Sequence, residues 1–127
     1  MIQFKPVQRN NPRDKDAPMK YYPQLKKTGE IDFKTIAEEL SSSSTLNSVD
    51  MRAVLYGLQN MLIKYLKNGY TVKFGDLGNC RPSLGGSGED TPELLTANHV
   101  SKVKIIFSPS PNLKEVMKTV TLKKVNK

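Results

Sequence analysis

The sequence has little of the chemistry that enzymes and metal sites require, with one cysteine and one histidine in 127 residues. A single cysteine, Cys80, excludes an intrachain disulfide and a zinc site built from several cysteines, which suits a reducing compartment. A single histidine, His99, gives a metal site or a catalytic triad little to use, and we expect it on the surface. Glu38 and Glu39 are neighbours on a predicted helix and point in different directions, so they do not form a facing acid–base pair. We therefore expect no enzyme, no metal and no cofactor.

Long apolar runs are also missing. No segment approaches the roughly 20 apolar residues of a membrane span, and the start, Met1 to Pro6, lacks the apolar run of a secretory signal. The length favours one domain with a core of its own. We expect a single domain over residues 1–127 in a soluble cytoplasmic protein, without a membrane or a small-molecule substrate as partner.

Basic residues are in excess, and the net charge is +8 at pH 7. The two ends carry this excess: residues 1–30 have a net charge of +4 and residues 101–127 of +6. Residues 31–69 balance, residues 70–88 carry +1, and residues 89–100 carry −3. A basic chain favours an acidic partner, which is nucleic acid, an anionic membrane or an acidic protein.

Apolar residues at helical spacing predict two helices in the first half of the chain. The first covers Ile31 to Leu40, with Asp32 as a possible N-cap. The second covers residues 51–66, with Ser48 or Asp50 as the cap and Asn68-Gly69 as the left-handed stop. Its apolar face is wide and rich in methionine and leucine, which indicates a second subunit. Ser41 to Thr45 reads as a loop between the helices.

Strands are predicted from alternating apolar and polar residues. The first starts at Ile2 and ends near Pro6, and residues 8–20 read as a loop. Residues 20–25 are extended, and residues 70–74 and 78–82 form a hairpin around Gly75-Asp76-Leu77-Gly78. Residues 84–98 read as a mobile excursion, residues 102–107 as a basic amphipathic strand, residues 112–118 as a short helix, and residues 119–125 as a last strand that pairs with the first. The class is α+β.

From Ile36 to Met117 this order resembles the HU/IHF family of histone-like DNA-binding proteins. The helix that ends in Leu66-Lys67-Asn68-Gly69 runs directly into Val72-Lys73-Phe74, as in that family. Asp76-Leu77-Gly78 lies where the family has Gly-Phe-Gly. Phe107 followed by Leu113-Lys114-Glu115 is similar to its closing strand and helix. The resemblance covers about two-thirds of the chain; residues 1–30 and 119–127 are additions to a core over 31–118.

The resemblance implies a homodimer with a helical base, a β-sheet saddle and extended β-arms that enter the DNA minor groove, where a proline near the arm tip wedges between base steps. In this sequence the arm would be residues 84–100 and the proline Pro92. The family has Arg-Asn-Pro at that place, whereas this chain has Asp90-Thr91-Pro92-Glu93, whose carboxylates repel phosphate. The lysines after the closing phenylalanine are replaced by Ser108-Pro109-Ser110-Pro111.

The DNA-binding residues that follow are those of the saddle and the last helix. Lys102 and Lys104 project from one face of a strand; ordinary solvated lysines are the alternative. Lys114 and Lys118 are one helical turn apart, and solvation and phosphate contact are equally compatible with them. Lys123, Lys124 and Lys127 fit a solvated tail better than a specific contact. The predicted site is Lys73, Arg81, Lys102, Lys104, Lys114, Lys118 and Pro92.

Two functions are compatible with these patterns. The first is weakly sequence-specific binding, bending and compaction of duplex DNA by a homodimer in the bacterial nucleoid. The alternative is an HU-like scaffold with reduced DNA affinity that acts in protein–protein assembly, which the acidic residues Glu89, Asp90 and Glu93 favour. RNA binding is a weaker third hypothesis, because a basic sheet with few aromatic residues offers little stacking.

Overall fold

The computed structural model describes residues 1–10, 13–14 and 16–126. The described part is a mixed α+β structure with three α-helices and two three-stranded sheets, which confirms the predicted class. The helices are α1 (Phe33–Ser42), α2 (Ser48–Lys67) and α3 (Pro111–Lys118). The strands are β1 (Ile2–Arg9), β2 (Lys20–Lys26), β3 (Val72–Lys73), β4 (Gly78–Gly86), β5 (Val100–Pro109) and β6 (Leu122–Lys124).

The chain forms two compact units. Residues 1–31 and 116–127 form the terminal unit, and residues 32–115 form the core unit, so that the division falls within α3. Asn11, Pro12, Lys15 and Lys127, which were assigned to a loop and a tail, lie outside the described residues. The assignment of the whole chain to a single domain stays a prediction.

The terminal unit contains a sheet in the order β2-β1-β6. β1 pairs antiparallel with β2 and parallel with β6, so the predicted pairing of the first and last strands is confirmed. The prediction that β1 ends near Pro6 is wrong, since the strand continues to Arg9. Pro6 lies opposite Pro23, and β6 pairs only with residues 2–4. The missing N–H of Pro6 therefore costs no ladder hydrogen bond.

Side-chain caps define the start of both long helices in the core unit. The Asp32 carboxylate accepts a hydrogen bond from the Thr35 amide at 2.9 Å, as predicted. This bond lowers the pKa of Asp32, so the cap is fully formed above the ordinary carboxyl pKa and is lost as the pH falls through the lowered one. The cap of α2 is Asn47, which accepts from the Asp50 amide at 2.8 Å, and not Ser48 or Asp50. The predicted stop is confirmed, since Gly69 has a φ of 86°.

The second sheet, in the order β3-β4-β5, belongs to the core unit. β4 and β5 form a long antiparallel ladder from Gly78 opposite Pro109 to Gly86 opposite Val100. Gly78 is the first residue of this ladder and has a φ of 144°. A Cβ atom there would lie 2.2 Å from the Ser108 carbonyl oxygen. Both the backbone conformation and the approach of β5 therefore require glycine at this position.

The boundaries of the predicted excursion at 84–98 were wrong. Leu84 to Gly86 continue β4, and β5 begins at Val100. Between the strands lie two single turns of 3₁₀-helix, Pro92–Leu94 and Ala97–His99. The predicted last strand at 119–125 is confirmed in part, since β6 covers Leu122–Lys124. The solvated tail predicted for Lys123 and Lys124 is wrong, because both belong to this strand.

We predict that Gly78→Ala lowers the free energy of unfolding by about 3 kcal/mol, because alanine is strained at this φ and its methyl group collides with Ser108. The matched control is Gly88→Ala, where a Cβ atom meets nothing within 4 Å. Urea denaturation followed by circular dichroism measures both variants. Equal stabilities for the two variants would contradict the assignment of Gly78.

Candidate functional site

One face of the β3-β4-β5 sheet carries four basic side chains, which we call the cationic face: Lys73, Arg81, Lys102 and Lys104. The register pairs Lys73 with Asn79, Ser83 with Lys104 and Gly85 with Lys102. Because side chains alternate between the faces of a sheet and opposed residues share a face, all four basic side chains project to the same side. The sheet therefore brings together four of the seven residues of the predicted site.

The cationic face has no negative charge of its own. The strands β3, β4 and β5 contain no aspartate or glutamate. All four basic residues are exposed, and Asn79, Ser83 and Ser108 are the polar neighbours between them. An exposed set of cations without carboxylates among them creates a positive potential that attracts a polyanion.

Two of these side chains are positioned by neighbours that the sequence did not single out. The Arg81 guanidinium donates a hydrogen bond from Nη1 to the Ser108 hydroxyl at 3.3 Å. The Lys102 side chain lies across Gly85, where a Cβ atom would approach its Cε to 2.8 Å. Both contacts depend on the pairing register of β4 and β5, which the sequence alone does not fix.

The opposite face of the same sheet is apolar and lines a groove with α2. The groove has a volume of about 750 Å³, and the side chains of Ile63 and Leu66 from α2 lie along one wall. The other wall is formed by Pro82, Leu84, Val103 and Ile105. Val103 and Ile105 remain 65% and 56% exposed, so the core unit leaves this groove largely open.

Two neighbouring stripes of apolar residues on α2 differ in their exposure. Met51, Leu55, Leu62 and Leu66 are partly covered. Val54, Leu58, Met61 and Tyr65 form a second stripe at i, i+4, i+7 and i+11, with exposures of 57%, 53%, 51% and 44%. Ala37 is the one fully buried apolar residue in the part of the chain that the structure describes. The core unit thus leaves many of its large apolar side chains exposed.

The remaining predicted residues lie elsewhere. Lys114 and Lys118 are on α3, one turn apart, and not on the sheet. The helix begins after Ser110, whose hydroxyl accepts from the Leu113 amide at 3.0 Å. Pro92 is exposed and begins a 3₁₀ turn. These three residues therefore lie on elements other than the strands of the cationic face.

The segment between β4 and β5 is held together by His99, which corrects the expectation of an ordinary surface histidine. Its Nε2 lies 2.8 Å from Glu89 Oε1, and the Thr96 amide donates to its Nδ1 at 3.0 Å. The His99 side chain is only 21% exposed. Glu89 therefore has a structural partner within the segment.

Within the described ranges, no three histidine, cysteine, aspartate or glutamate side chains are grouped to hold a metal ion. No helix among those residues combines the length and the hydropathy needed to cross a bilayer.

The helical hairpin, the three-stranded sheet after it and the closing helix α3 define the class of HU domains. A family model described as "HU domain fused to wHTH, Ig, or Glycine-rich motif" matches residues 1–124. The chain therefore belongs to this family, HU-HIG, which confirms the resemblance to HU proteins.

Comparison with solved structures supports the fold. The chain is similar to a protein from Bacteroides vulgatus ATCC 8482 that is named as a putative bacterial DNA-binding protein, with a TM-score of 0.68 and 16% sequence identity. The match covers 99% of this chain and 49% of that protein, so this chain spans about half its length. At this identity the likeness concerns the fold alone. No curated protein matches the chain in sequence.

We predict that Glu89→Ala loosens the segment 87–99, because it removes the partner of His99. A partly exposed hydrogen bond contributes about 0.5 kcal/mol, so amide exchange should become about two- to threefold faster. Hydrogen–deuterium exchange at Ser87, whose amide donates to the His99 carbonyl, reports the change. The control is Glu93→Ala, which removes the same charge from an exposed residue of the segment. Equal exchange in both variants would contradict a structural role for Glu89.

Proposed function

We propose that this chain is a non-enzymatic, weakly sequence-specific duplex DNA-binding protein that works as a homodimer. The cationic face is the observation that carries the proposal. Four exposed cations without a carboxylate among them fit a polymer of phosphates. Membership of the HU-HIG family and the printed name of the B. vulgatus protein support DNA as the polymer.

The proposed contact is a contact with the phosphate backbone. Lysine and arginine on a sheet neutralise phosphates without reading base edges, which gives affinity without sequence preference. Ser108 holds the Arg81 guanidinium and so reduces the freedom that this side chain loses on binding. The face then serves as the saddle of the HU-like fold.

Dimerisation is proposed from the apolar surface of the core unit. A lone core unit with one fully buried apolar residue in its described part exposes its second α2 stripe and the walls of the 750 Å³ groove. A second copy that packs on Val54, Leu58, Met61 and Tyr65 removes this surface from water. Homodimer interfaces are apolar in this way. The dimer would also present two cationic faces to one duplex.

Bending and compaction of the duplex are attributed to the dimer, and not to a proline inserted between base steps. Pro92 is flanked by Glu93 and lies close to Asp90, and carboxylates at that point repel the phosphates of a minor groove. Two cationic faces on one particle would instead bend a duplex by contacting its backbone on both sides of the dimer axis. The proposed location is the bacterial nucleoid.

The alternative is an HU-like scaffold for protein–protein assembly with reduced DNA affinity. One observation favours it: the core unit, residues 32–115, has nine basic and nine acidic residues and thus no net charge. A neutral core unit has a weak long-range attraction for DNA, whatever its local face. The experiment on the cationic face separates the two functions.

We predict that Lys102→Gln/Lys104→Gln weakens duplex binding about tenfold and makes the slope of log K against log salt concentration less negative by about one for each phosphate contact that is lost. Fluorescence anisotropy of a labelled mixed-sequence duplex across a salt series measures both quantities. The control is Lys34→Gln/Lys64→Gln, which removes two lysines from α1 and α2 of the same unit. Equal effects in both variants would contradict a contact at the cationic face, and absence of binding by the unaltered protein would favour the scaffold.

We predict that the unaltered protein sediments as a dimer and that Leu58→Glu shifts it to the monomer, because the new carboxylate enters an apolar interface. Gln59→Glu places the same charge at the next position of α2, which is exposed and polar, and should leave the dimer intact. Sedimentation velocity over a range of protein concentrations measures the association. A monomer at every concentration would overturn the proposed dimer.

A further inference from the structure

The terminal unit carries the entire net charge of the protein. Residues 1–31 and 116–127 contain eleven basic and three acidic residues, so this unit has a net charge of +8. The core unit, with nine of each sign, contributes nothing. The part of the chain that lies outside the HU-like core thus supplies its electrostatic attraction for polyanions.

The register of the terminal sheet places five of these basic residues on one face. Lys26 and Lys123 lie opposite Gln3 on its two sides, and Lys5 lies opposite Gln24. By strand alternation these residues project to the same side. Arg9 and Lys20, which are opposite each other, share that side. The terminal basic face therefore consists of Lys5, Arg9, Lys20, Lys26 and Lys123.

The other side of the same sheet carries most of the apolar residues of its strands. Ile2 and Phe4 of β1 lie there beside Leu25 of β2 and Leu122 of β6. The strands β1, β2 and β6 contain no acidic residue. Glu30, the one carboxylate that follows β2 in this unit, is paired with Lys27. The five cations of the terminal basic face are thus not neutralised from within their sheet.

The dimensions of this face suit a nucleic-acid backbone. Lys26 and Lys123 are two strand spacings apart, about 10 Å, and Lys5 and Arg9 are four residues apart along β1, about 13 Å. One DNA strand has a phosphate every 3.4 Å along the axis, so the face spans about four phosphates. An anionic membrane would instead call for a large apolar surface beside the cations. Val7 and Tyr22 are the apolar side chains on this side of the sheet, whereas Ile2, Phe4, Leu25 and Leu122 lie on the other.

We infer that the terminal basic face is a second binding surface for the phosphate backbone of duplex DNA. The inference rests on the proposed function, since it assigns the same polymer to a second sheet. Two faces on one chain bind one polymer more tightly than either alone, because the second contact forms at high effective concentration. The terminal strands are then a functional extension of the HU-like core and supply most of its attraction for DNA.

The test compares neighbouring lysines that differ in the face they occupy. Lys26→Gln/Lys123→Gln removes two cations from the terminal basic face. Lys27→Gln/Lys124→Gln removes the same formal charge one residue further along: Lys124 lies opposite Phe4 on the apolar side, and Lys27 follows β2 and pairs with Glu30. Because Lys26 and Lys123 are exposed, both pairs of variants should unfold at the temperature of the unaltered protein.

Fluorescence anisotropy across a salt series should show binding at least tenfold weaker for Lys26→Gln/Lys123→Gln, with a salt slope less negative by about two per chain. The control pair should lose no more than about threefold, through long-range charge alone. Equal losses in the two pairs, or no loss in either, would overturn the inference. Tight binding to phosphatidylserine vesicles that Lys26→Gln/Lys123→Gln abolishes, with unchanged DNA binding, would assign the face to a membrane and overturn it too.

The two proposals fail in different ways. If the unaltered protein does not bind duplex DNA at low salt, the proposed function falls and this inference with it. If Lys102→Gln/Lys104→Gln weakens binding and Lys26→Gln/Lys123→Gln does not, the proposed function stands and the terminal basic face alone is rejected.

Discussion

The fixed register of two antiparallel ladders is the constraint on which the rest of this structure depends. A residue in a strand faces one side or the other according to its parity, so a single register decides where every side chain of a sheet points. Between β4 and β5 it puts Arg81 and Lys104 on one side and Leu84 and Ile105 on the other. Between β1 and β2 it separates Lys5 from Phe4. A slip of one residue would mix charge and apolar surface on both faces.

The helices and most strands could be predicted from the sequence because their signals are local. The Asp32 cap, the Gly69 stop and the alternation before Phe107 each lie within a few residues of the element they define. The extent of β1 could not be predicted, because Pro6 is tolerated only where β6 offers no partner, and β6 lies more than a hundred residues further on. The Asn47 cap was missed because serine and aspartate nearby are equally good caps.

Part of the candidate site could also be predicted, where the signal lies within one strand. Lys102 and Lys104 share a face by parity within one strand, which the sequence alone indicates. Their position beside Lys73 and Arg81 needs the pairing of three strands, and so does the role of Gly85 under Lys102. The His99 contacts were not predictable, since Glu89 is ten residues away along an irregular segment. The pairing of the first and last strands was predicted. The common face of their basic residues was not, because it depends on the register of three strands from both ends of the chain.

The parallel pairing of β1 with β6 has a consequence for the order in which the molecule is completed. Ile2 pairs with Leu122, so the third strand of the terminal sheet comes from the far end of the chain. During synthesis from the amino end, the whole segment 32–115 leaves the ribosome before β6 does. The β1–β2 hairpin must wait for that last strand as an open edge. Closure of so long a loop is slow compared with local pairing, so we expect the terminal sheet to be the last part of the fold to assemble.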